Sequence, residues 1–229
     1  MTAGRSPHAG ESDPHEGQPV ATAGAAADGA PTPEADSAVI FVHGRGATAE
    51  GMLEMATEFD AEGVAYLAPQ ARGRTWYPNS FLADIEENEP SLSSALDFLG
   101  RVRERVSKAG IPADRLCFVG FSQGACLASE FVARNPERYG GLAVLSGGVI
   151  GPEGTPRDYD GNLDGTPVFL GCGDRDPHIP VDRVHETRDA LTELGGDVTE
   201  RIYEGMSHGI NREEMEYVRN LVETAVSVE

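Results

Sequence analysis

The feature that most constrains the fold is a regular alternation of short apolar runs with longer amphipathic segments, which begins near Ser37. Short runs with few polar residues are typical of strands buried on both faces, and the longer segments carry apolar residues at helical spacing. The predicted strands are 38–42, 64–67, 116–119, 142–145, 168–170 and 198–203, and the predicted helices are 48–59, 91–109, 123–135, 181–194 and 212–226. Because a helix between two strands makes a crossover connection, the pattern predicts an α/β fold with a mostly parallel sheet covered by helices on both faces.

One predicted strand runs directly into a helix through the pentapeptide 120–124, GFSQG. A strand that turns straight into a helix forces the residue at the apex into a strained backbone conformation. The glycines two positions to either side remove side chains that would otherwise collide in such a turn. The hydroxyl of Ser122 is then held at the carboxyl edge of the sheet, where parallel sheets bind ligands. We therefore predict that Ser122 is a nucleophile.

A serine hydroxyl is barely ionised near neutral pH, so it needs a base. In proteins that carry the serine on such a turn, an acidic residue and then a histidine follow along the chain, each in a loop after a strand. His208 follows the sixth predicted strand, and both Asp174 and Asp176 follow the fifth. Pro177 restricts the backbone next to Asp176 and weakly favours that residue. The sequence thus predicts Ser122 as nucleophile, His208 as base and one of two aspartates orienting the imidazole.

Acyl transfer also requires amide donors for the negative charge that develops on the carbonyl oxygen. The amide of Gln123 directly follows the serine and is one predicted donor. The other predicted donor is the amide of Arg45, in the loop 43–46 after the first predicted strand, where glycines allow a close approach to substrate.

Three aromatic residues follow the second strand: Trp76, Tyr77 and Phe81. They are predicted to line an acyl or alcohol pocket, to cover the core, or to do both. The Gly- and Pro-rich stretch 146–165 is too short for a large lid domain. An open site of this kind favours small or medium soluble esters over long-chain lipids.

Together these segments resemble the phospholipase/carboxylesterase family of α/β hydrolases, which includes prokaryotic carboxylesterases and acyl-protein thioesterases. The resemblance covers roughly residues 38–226 and is carried by 43–46 (HGRG), 68–70 (APQ), 76–78 (WYP), 120–124 (GFSQG), 173–177 (GDRDP) and 203–208 (YEGMSH). It implies the α/β-hydrolase fold, and it implies that the acid is the aspartate directly before the proline, Asp176. It also implies the amides of Arg45 and Gln123 as oxyanion donors. No cofactor is expected, because the triad and these amides supply the chemistry.

The chain departs from the acyl-protein thioesterases in its first loop, since those have a leucine where Arg45 stands and an aspartate where Ala47 stands. The segments 76–78 and 17–20 look more like the prokaryotic carboxylesterase branch. We therefore expect a serine hydrolase that cleaves small to medium carboxylic esters. Thioesterase or lysophospholipase activity is an alternative, because the same triad attacks any activated acyl group. A non-catalytic, ligand-binding version of the fold is another, although such proteins often lack a triad member.

A metal site is the competing interpretation of one loop, in which four potential ligands alternate: Cys172, Asp174, Asp176 and His178. One short loop after a strand rarely points four side chains inward. We therefore expect no bound metal.

Charge restricts the partners. The formal net charge is −20, with 38 acidic against 18 basic residues, and Lys108 is the single lysine. Such a surface repels nucleic acids and anionic membranes, so the expected partner is a small-molecule ester. An acidic, lysine-poor chain fits solubility in high salt, although a GC-rich genome also favours arginine over lysine. The oligomeric state is not indicated.

The cysteines and the N-terminal composition indicate where the chain resides and where its domain begins. Three cysteines in apolar stretches suggest buried free thiols, and no signal-like or membrane-spanning apolar run is present, so we expect a cytoplasmic protein. Residues 1–37 are rich in Gly, Ala, Pro and acidic residues and are expected to form a largely disordered tail, in which 18–22 could be a short exception. The hydrolase domain is expected to span 38–229.

Overall fold

The computed structural model describes residues 13–23, 35–59 and 61–227. Over these residues seven strands form one sheet in the order β1-β3-β2-β4-β5-β6-β7. The strands are β1 (Val20–Ala23), β2 (Ser37–Val42), β3 (Val64–Pro69), β4 (Leu116–Phe121), β5 (Gly141–Leu145), β6 (Pro167–Gly173) and β7 (Asp197–Tyr203). Strands β2 to β7 pair in parallel, and β1 pairs antiparallel with β3. The predicted mostly parallel sheet is confirmed.

Helices cover both faces of the sheet: α1 (Ala49–Leu53), α2 (Ser91–Lys108), α3 (Gln123–Arg134), α4 (Val181–Glu193) and α5 (Arg212–Val226). The sequence of strand β2 has no polar face because both of its faces are covered by helices. Ile40 and Val42 pack with α2 and α3 on one side, whereas Val39 and Phe41 pack with α1 and α5 on the other. Of the helices in the described residues, none has both the length and the apolar character needed to cross a bilayer.

The helix predicted over 48–59 is shorter than expected. Thr48 is its N-cap, because the hydroxyl accepts a hydrogen bond from the Gly51 amide at 3.1 Å. The α-helical turns end at Leu53, and a 3-10 helix continues over Glu54–Glu58. The tighter turn leads into Phe59, whose buried ring stacks on Phe41.

Part of the stretch 1–37, which its composition assigns to a tail, contributes to the folded domain. Within it, β1 lies at the sheet edge, with Val20 opposite Pro69 and Ala23 opposite Tyr66. Strand pairing uses backbone groups, so a stretch with few large apolar side chains can still join a sheet. The strand overlaps the predicted exception at 18–22; residues 1–12 and 24–34 lie outside the described residues.

The connection between β5 and β6 packs onto the domain and forms no lid. Val149 and Ile150 are fully buried. The amide of Ile150 donates to the buried carboxylate of Glu130 at 3.0 Å, and the Arg183 guanidinium donates to the Val149 carbonyl at 2.8 Å. Helices α3 and α4 therefore hold this connection in place.

All three cysteines are free and buried, as the sequence predicts. Burial raises the pKa of Cys117, Cys126 and Cys172 to about 12 in each case. These thiols are therefore protonated and weakly reactive at neutral pH.

Candidate active site

Ser122 occupies the apex of the turn between β4 and α3, with φ 55° and ψ −120°. The neighbouring glycines are needed because the backbone approaches too closely for a side chain. A Cβ at Gly120 would lie 2.5 Å from the Ala125 Cα, and one at Gly124 would lie 2.0 Å from the Val42 oxygen. The turn is pinned to the sheet by the Ser122 amide, which donates to the Leu145 carbonyl at 2.9 Å. The strained serine is thus held rigidly at the carboxyl edge of the sheet.

The structure brings Ser122, His208 and Asp176 into one hydrogen-bonded row. Ser122 Oγ lies 2.9 Å from His208 Nε2, and His208 Nδ1 lies 2.6 Å from Asp176 Oδ2. Since an ionised carboxylate only accepts, Nδ1–H donates to Asp176 and leaves Nε2 free to accept the serine proton. This tautomer suits His208 to act as a base toward the serine.

Asp176 is held as a carboxylate at the end of this row. Its Oδ1 accepts hydrogen bonds from the amides of His178 at 2.8 Å and Ile179 at 3.1 Å. Burial disfavours the charged form, but the hydrogen bonds from His208 and from these two amides outweigh it and hold the pKa of Asp176 below its ordinary value. The side chain is shielded from solvent, with 0% of its surface exposed.

Asp174, the other aspartate that the sequence pattern allows, points elsewhere. Its Oδ1 accepts the Gly205 amide at 2.6 Å, which braces the turn that leads to His208. Asp174 is exposed, and the carboxylate paired with the imidazole is that of Asp176. Three-dimensional placement thereby separates two residues that lie in the same loop.

Arg45 and Gln123, whose backbone amides are the predicted oxyanion donors, both lie near Ser122. Gln123 is the first residue of α3, so its amide is among those with no acceptor within the helix. The loop that carries Arg45 approaches closely, since a Cβ at Gly44 would lie 3.3 Å from the Ser122 Cβ. Arg45, Ser122 and Gln123 all line the same pocket.

The pocket has a volume of about 500 Å³ and opens at Ser122 and His208. Tyr77 and Phe81, both predicted as pocket residues, line it together with Ile179. Trp76, predicted alongside them, does not contact the pocket. Its indole is fully buried behind the wall because Nε1–H donates to the carbonyl of His43 at 2.8 Å.

Glu214 is a residue at this site that the sequence analysis missed. Its Oε2 accepts the Asn211 amide at 2.7 Å, and Asn211 Oδ1 accepts the Glu214 amide at 3.0 Å. This capping box begins α5 three residues after His208 and so anchors the loop that carries the imidazole. The spacing Asn-x-x-Glu was the signal that could have found it. The other carboxyl oxygen, Oε1, faces Gly171 in β6 and has no hydrogen-bond partner among the described residues.

Glu214→Gln is expected to become more stable, relative to the wild type, as the pH rises. Burial raises the pKa of Glu214 from 4.5 to about 7, so the folded chain retains a proton that the unfolded chain loses in this range. The resulting stabilisation is complete below about pH 4.5 and is lost as the pH rises through about 7. Between pH 5 and 8 the wild type should therefore lose about 2–3 kcal/mol that the neutral glutamine variant does not lose.

Urea unfolding of both proteins at pH 5, 6, 7 and 8 measures this difference. Glu213→Gln is the control, because Glu213 lies exposed in the same helical turn. Equal pH dependence in wild type and Glu214→Gln would contradict the prediction.

Comparison with known proteins identifies the family. Residues 29–226 match the model of the Phospholipase/Carboxylesterase family. Acyl-protein thioesterase 1 of Debaryomyces hansenii is 29% identical over 214 residues, which cover 82% of this chain and 91% of that protein. Acyl-protein thioesterase 1 of Saccharomyces cerevisiae is 27% identical over 213 residues, covering 82% of this chain and 92% of that protein.

A solved structure is similar along nearly the whole chain. The crystal structure of phospholipase/carboxylesterase from Dyadobacter fermentans has a TM-score of 0.84 and 38% sequence identity, and the match covers 90% of this chain and 96% of that one. The family match takes in strands β2 to β7 and helices α1 to α5. The chain therefore belongs to the phospholipase/carboxylesterase family and has the α/β-hydrolase fold.

Proposed function

We propose that this chain is a serine esterase that hydrolyses small to medium carboxylic esters through an acyl-Ser122 intermediate. The observation that carries the proposal is the row in which Ser122 Oγ lies 2.9 Å from His208 Nε2 and His208 Nδ1 lies 2.6 Å from Asp176 Oδ2. A hydroxyl within reach of a base, which is in turn oriented by a carboxylate, is the arrangement that activates a serine nucleophile.

The reaction proceeds in two halves. Ser122 Oγ attacks the acyl carbon while His208 Nε2 takes the hydroxyl proton, and the bond to the alcohol then breaks as His208 returns the proton to the leaving oxygen. A water molecule next gives a proton to His208 and attacks the acyl carbon. The bond to Ser122 Oγ breaks, the serine regains its proton and the carboxylic acid departs. Asp176 stabilises the imidazolium that forms in each half.

The negative charge on the carbonyl oxygen is assigned to the amides of Arg45 and Gln123. Removal of one such donor costs about 10²- to 10³-fold in kcat in well-studied serine enzymes. The approach of Gly44 to Ser122 and the position of Gln123 at the start of α3 support this assignment.

The acyl chain is assigned to the pocket beside Tyr77 and Phe81. A volume of about 500 Å³ is within the range of small-molecule sites. Among the described residues that line it there is no aspartate or glutamate, although the chain has 38 acidic residues. An uncharged acyl group can therefore enter without leaving a buried carboxylate unpaired.

With 4-nitrophenyl esters of increasing acyl length, kcat/KM is expected to peak at short chains and to fall by at least about tenfold by twelve carbons, because a longer chain extends past the pocket into water. Steady-state hydrolysis from acetate to laurate measures the profile. A peak at twelve carbons or more would contradict the small-ester assignment.

Reaction with a fluorophosphonate tests the nucleophile itself. The proposal requires one adduct per chain on Ser122, located by peptide mass spectrometry, with loss of esterase activity in proportion to labelling. Absence of an adduct under conditions that label a known serine esterase would favour a non-catalytic, ligand-binding role.

Thioester hydrolysis is the second candidate function. It is favoured by the relatives at 27–29% identity, which are acyl-protein thioesterases. The two activities are separated by comparing kcat/KM for an oxygen ester and a thioester that carry the same butyryl group. A thioester advantage of more than about tenfold would make thioesterase the better description.

A further inference from the structure

The indole of Trp76 lies close to two imidazole rings behind the pocket wall. Its ring centre is 5.6 Å from that of His15 and 4.9 Å from that of His43. All three side chains are buried. The indole Nε1–H donates to the carbonyl of His43 at 2.8 Å. Trp76 therefore connects the N-terminal segment 13–23 to the loop 43–46.

His15 is hydrogen-bonded to backbone through both ring nitrogens. Its Nδ1 accepts the Arg72 amide at 3.3 Å, so the proton of the neutral ring lies on Nε2, which donates to the Trp76 carbonyl at 2.9 Å. Burial lowers the pKa of His15, despite the nearby Asp13 carboxylate, and keeps this neutral form at physiological pH. The imidazole thus fills a shaped site and is not a solvent-exposed tail residue.

Three further contacts dock the segment that carries His15. Asp13 hydrogen-bonds to the Ser94 hydroxyl and lies 3.3 Å from Arg101, both on α2. On the other side the Gln70 amide donates to the Pro19 carbonyl at 2.9 Å, which leads into the pairing of β1 with β3. The segment is therefore attached to the domain both before and after His15.

His43, the second imidazole beside the indole, shapes the loop 43–46. Its Nδ1–H donates to the Gly44 carbonyl at 2.7 Å, and its Nε2 accepts the Ala71 amide at 3.1 Å. Burial lowers the pKa of His43 and favours the neutral ring that this pattern needs. The next residue in the loop, Arg45, carries one of the proposed oxyanion amides.

The segment 76–79 joins both oxyanion residues through their side chains. Gln123 Oε1 accepts the Trp76 amide at 3.0 Å, and Gln123 Nε2 donates to the Tyr77 carbonyl at 2.8 Å. The Arg45 guanidinium donates to the carbonyls of Tyr77, Pro78 and Asn79 at 2.7–2.9 Å. A displacement of Trp76 would accordingly move the side chains of both residues that offer amides to the oxyanion.

We propose that His15 is a positioning residue of the active site, which acts through Trp76 to hold the 76–79 segment and the amides of Arg45 and Gln123 at the spacing that an oxyanion requires. The inference rests on the proposed acyl-serine function. It concerns a part of the chain that precedes residue 29, where the family match begins. On this proposal the segment 13–23 helps to position the active-site residues.

The experiment compares His15→Ala, His15→Gln and Val222→Ala in the full chain. Glutamine retains an N–H that can donate to the Trp76 carbonyl. Val222 is buried in α5 on the other face of the sheet, so its truncation lowers stability without touching the site. Three quantities are measured well below each unfolding temperature: kcat and KM for 4-nitrophenyl butyrate, and the inhibition constant of a short trifluoromethyl ketone, which forms an anionic adduct with the serine.

His15→Ala is expected to lower kcat by about 10- to 100-fold with KM changed by less than about threefold, because the loss falls on groups that act in the transition state. The inhibition constant should rise by a similar factor, and His15→Gln should recover most of the loss. Val222→Ala should lower the unfolding temperature and leave kcat unchanged. If His15→Ala does not fold, His15→Phe takes its place, since it keeps the ring contact and removes both hydrogen bonds.

Wild-type kcat in His15→Ala, or an equal kcat loss in Val222→Ala at equal loss of stability, would overturn the inference while the wild type remains active and labelled at Ser122. Failure of the wild type to hydrolyse esters or thioesters, or to react with a fluorophosphonate, would instead overturn the proposed function.

Discussion

Replacement of Ser122 by alanine is expected to lower kcat for 4-nitrophenyl butyrate by about 10⁴- to 10⁶-fold, with the fold retained. The variant removes the oxygen that lies 2.9 Å from His208 Nε2 and leaves no other group on the apex of the turn. The measurement is steady-state hydrolysis at enzyme concentrations high enough to detect the residual rate, together with circular dichroism.

The control for this variant is Ser80→Ala, because Ser80 lines the same pocket and its hydroxyl, which accepts the Leu82 amide, meets no base in the part of the chain that the structure describes. It should retain activity within about threefold of the wild type.

Stability offers a second check, since Ser122 has φ 55°. Ser122→Gly relieves that strain, and its free energy of unfolding should be about 1 kcal/mol higher than that of Ser122→Ala. Hydrolysis by Ser122→Ala at more than about one thousandth of the wild-type rate would show that another group is the nucleophile.

Replacement of Asp176 by asparagine is expected to lower kcat by about 10³- to 10⁴-fold at pH 7. The carboxylate accepts from His208 Nδ1–H and so leaves Nε2 free to take the serine proton. An amide can donate to Nδ1 instead, which places the ring proton on Nε2 and blocks the base. The measurement is the pH profile of kcat, in which the loss should lessen at high pH.

Asp174→Asn is the matched control, because the two aspartates lie in one loop and the sequence pattern allows either of them to orient the imidazole. Asp174 accepts only the Gly205 amide among the contacts described, and asparagine keeps an acceptor oxygen for it. Activity within about threefold of the wild type is expected. A larger loss in Asp174→Asn than in Asp176→Asn would contradict the assignment of the acid.

The strands and the turn at Ser122 could be predicted because each depends on local pattern. Strands buried on both faces need continuous apolar residues, and β2 and β4 have them. The turn needs two glycines at positions where backbone atoms approach within 2.5 Å of a Cβ. These requirements are visible in any window of a few residues.

The differences arose where packing against distant residues decides the outcome. The sequence leaves open whether Trp76 lines the pocket with Tyr77 and Phe81 or covers the core, and in the structure its indole donates to the carbonyl of His43 and lies behind the wall. The helix predicted to reach Phe59 changes to a 3-10 turn after Leu53. In each case the local pattern was compatible with both arrangements.

His15 illustrates the limit most clearly. Its neighbours in sequence are small and polar, so composition assigned it to a tail. Three of its hydrogen-bond partners, Arg72, Trp76 and Ser94, are distant along the chain. The stabilisation comes from hydrogen bonds to backbone and from ring contact, neither of which a hydrophobic pattern records.

The sequence by itself determined the fold class and the candidate nucleophile, because apolar periodicity and close-packed glycines are properties of short segments. The family was indicated by the resemblance of its ordered motifs, among them 43–46, 120–124, 173–177 and 203–208. The tertiary structure alone decided that Trp76 supports the pocket wall from behind and that residues 13–23 belong to the domain. It also shows His208 hydrogen-bonded to Asp176, the aspartate that the family resemblance implies. These outcomes depend on distances between residues far apart in the chain, and such distances exist only once the sheet has brought its carboxyl edge and its neighbouring loops together.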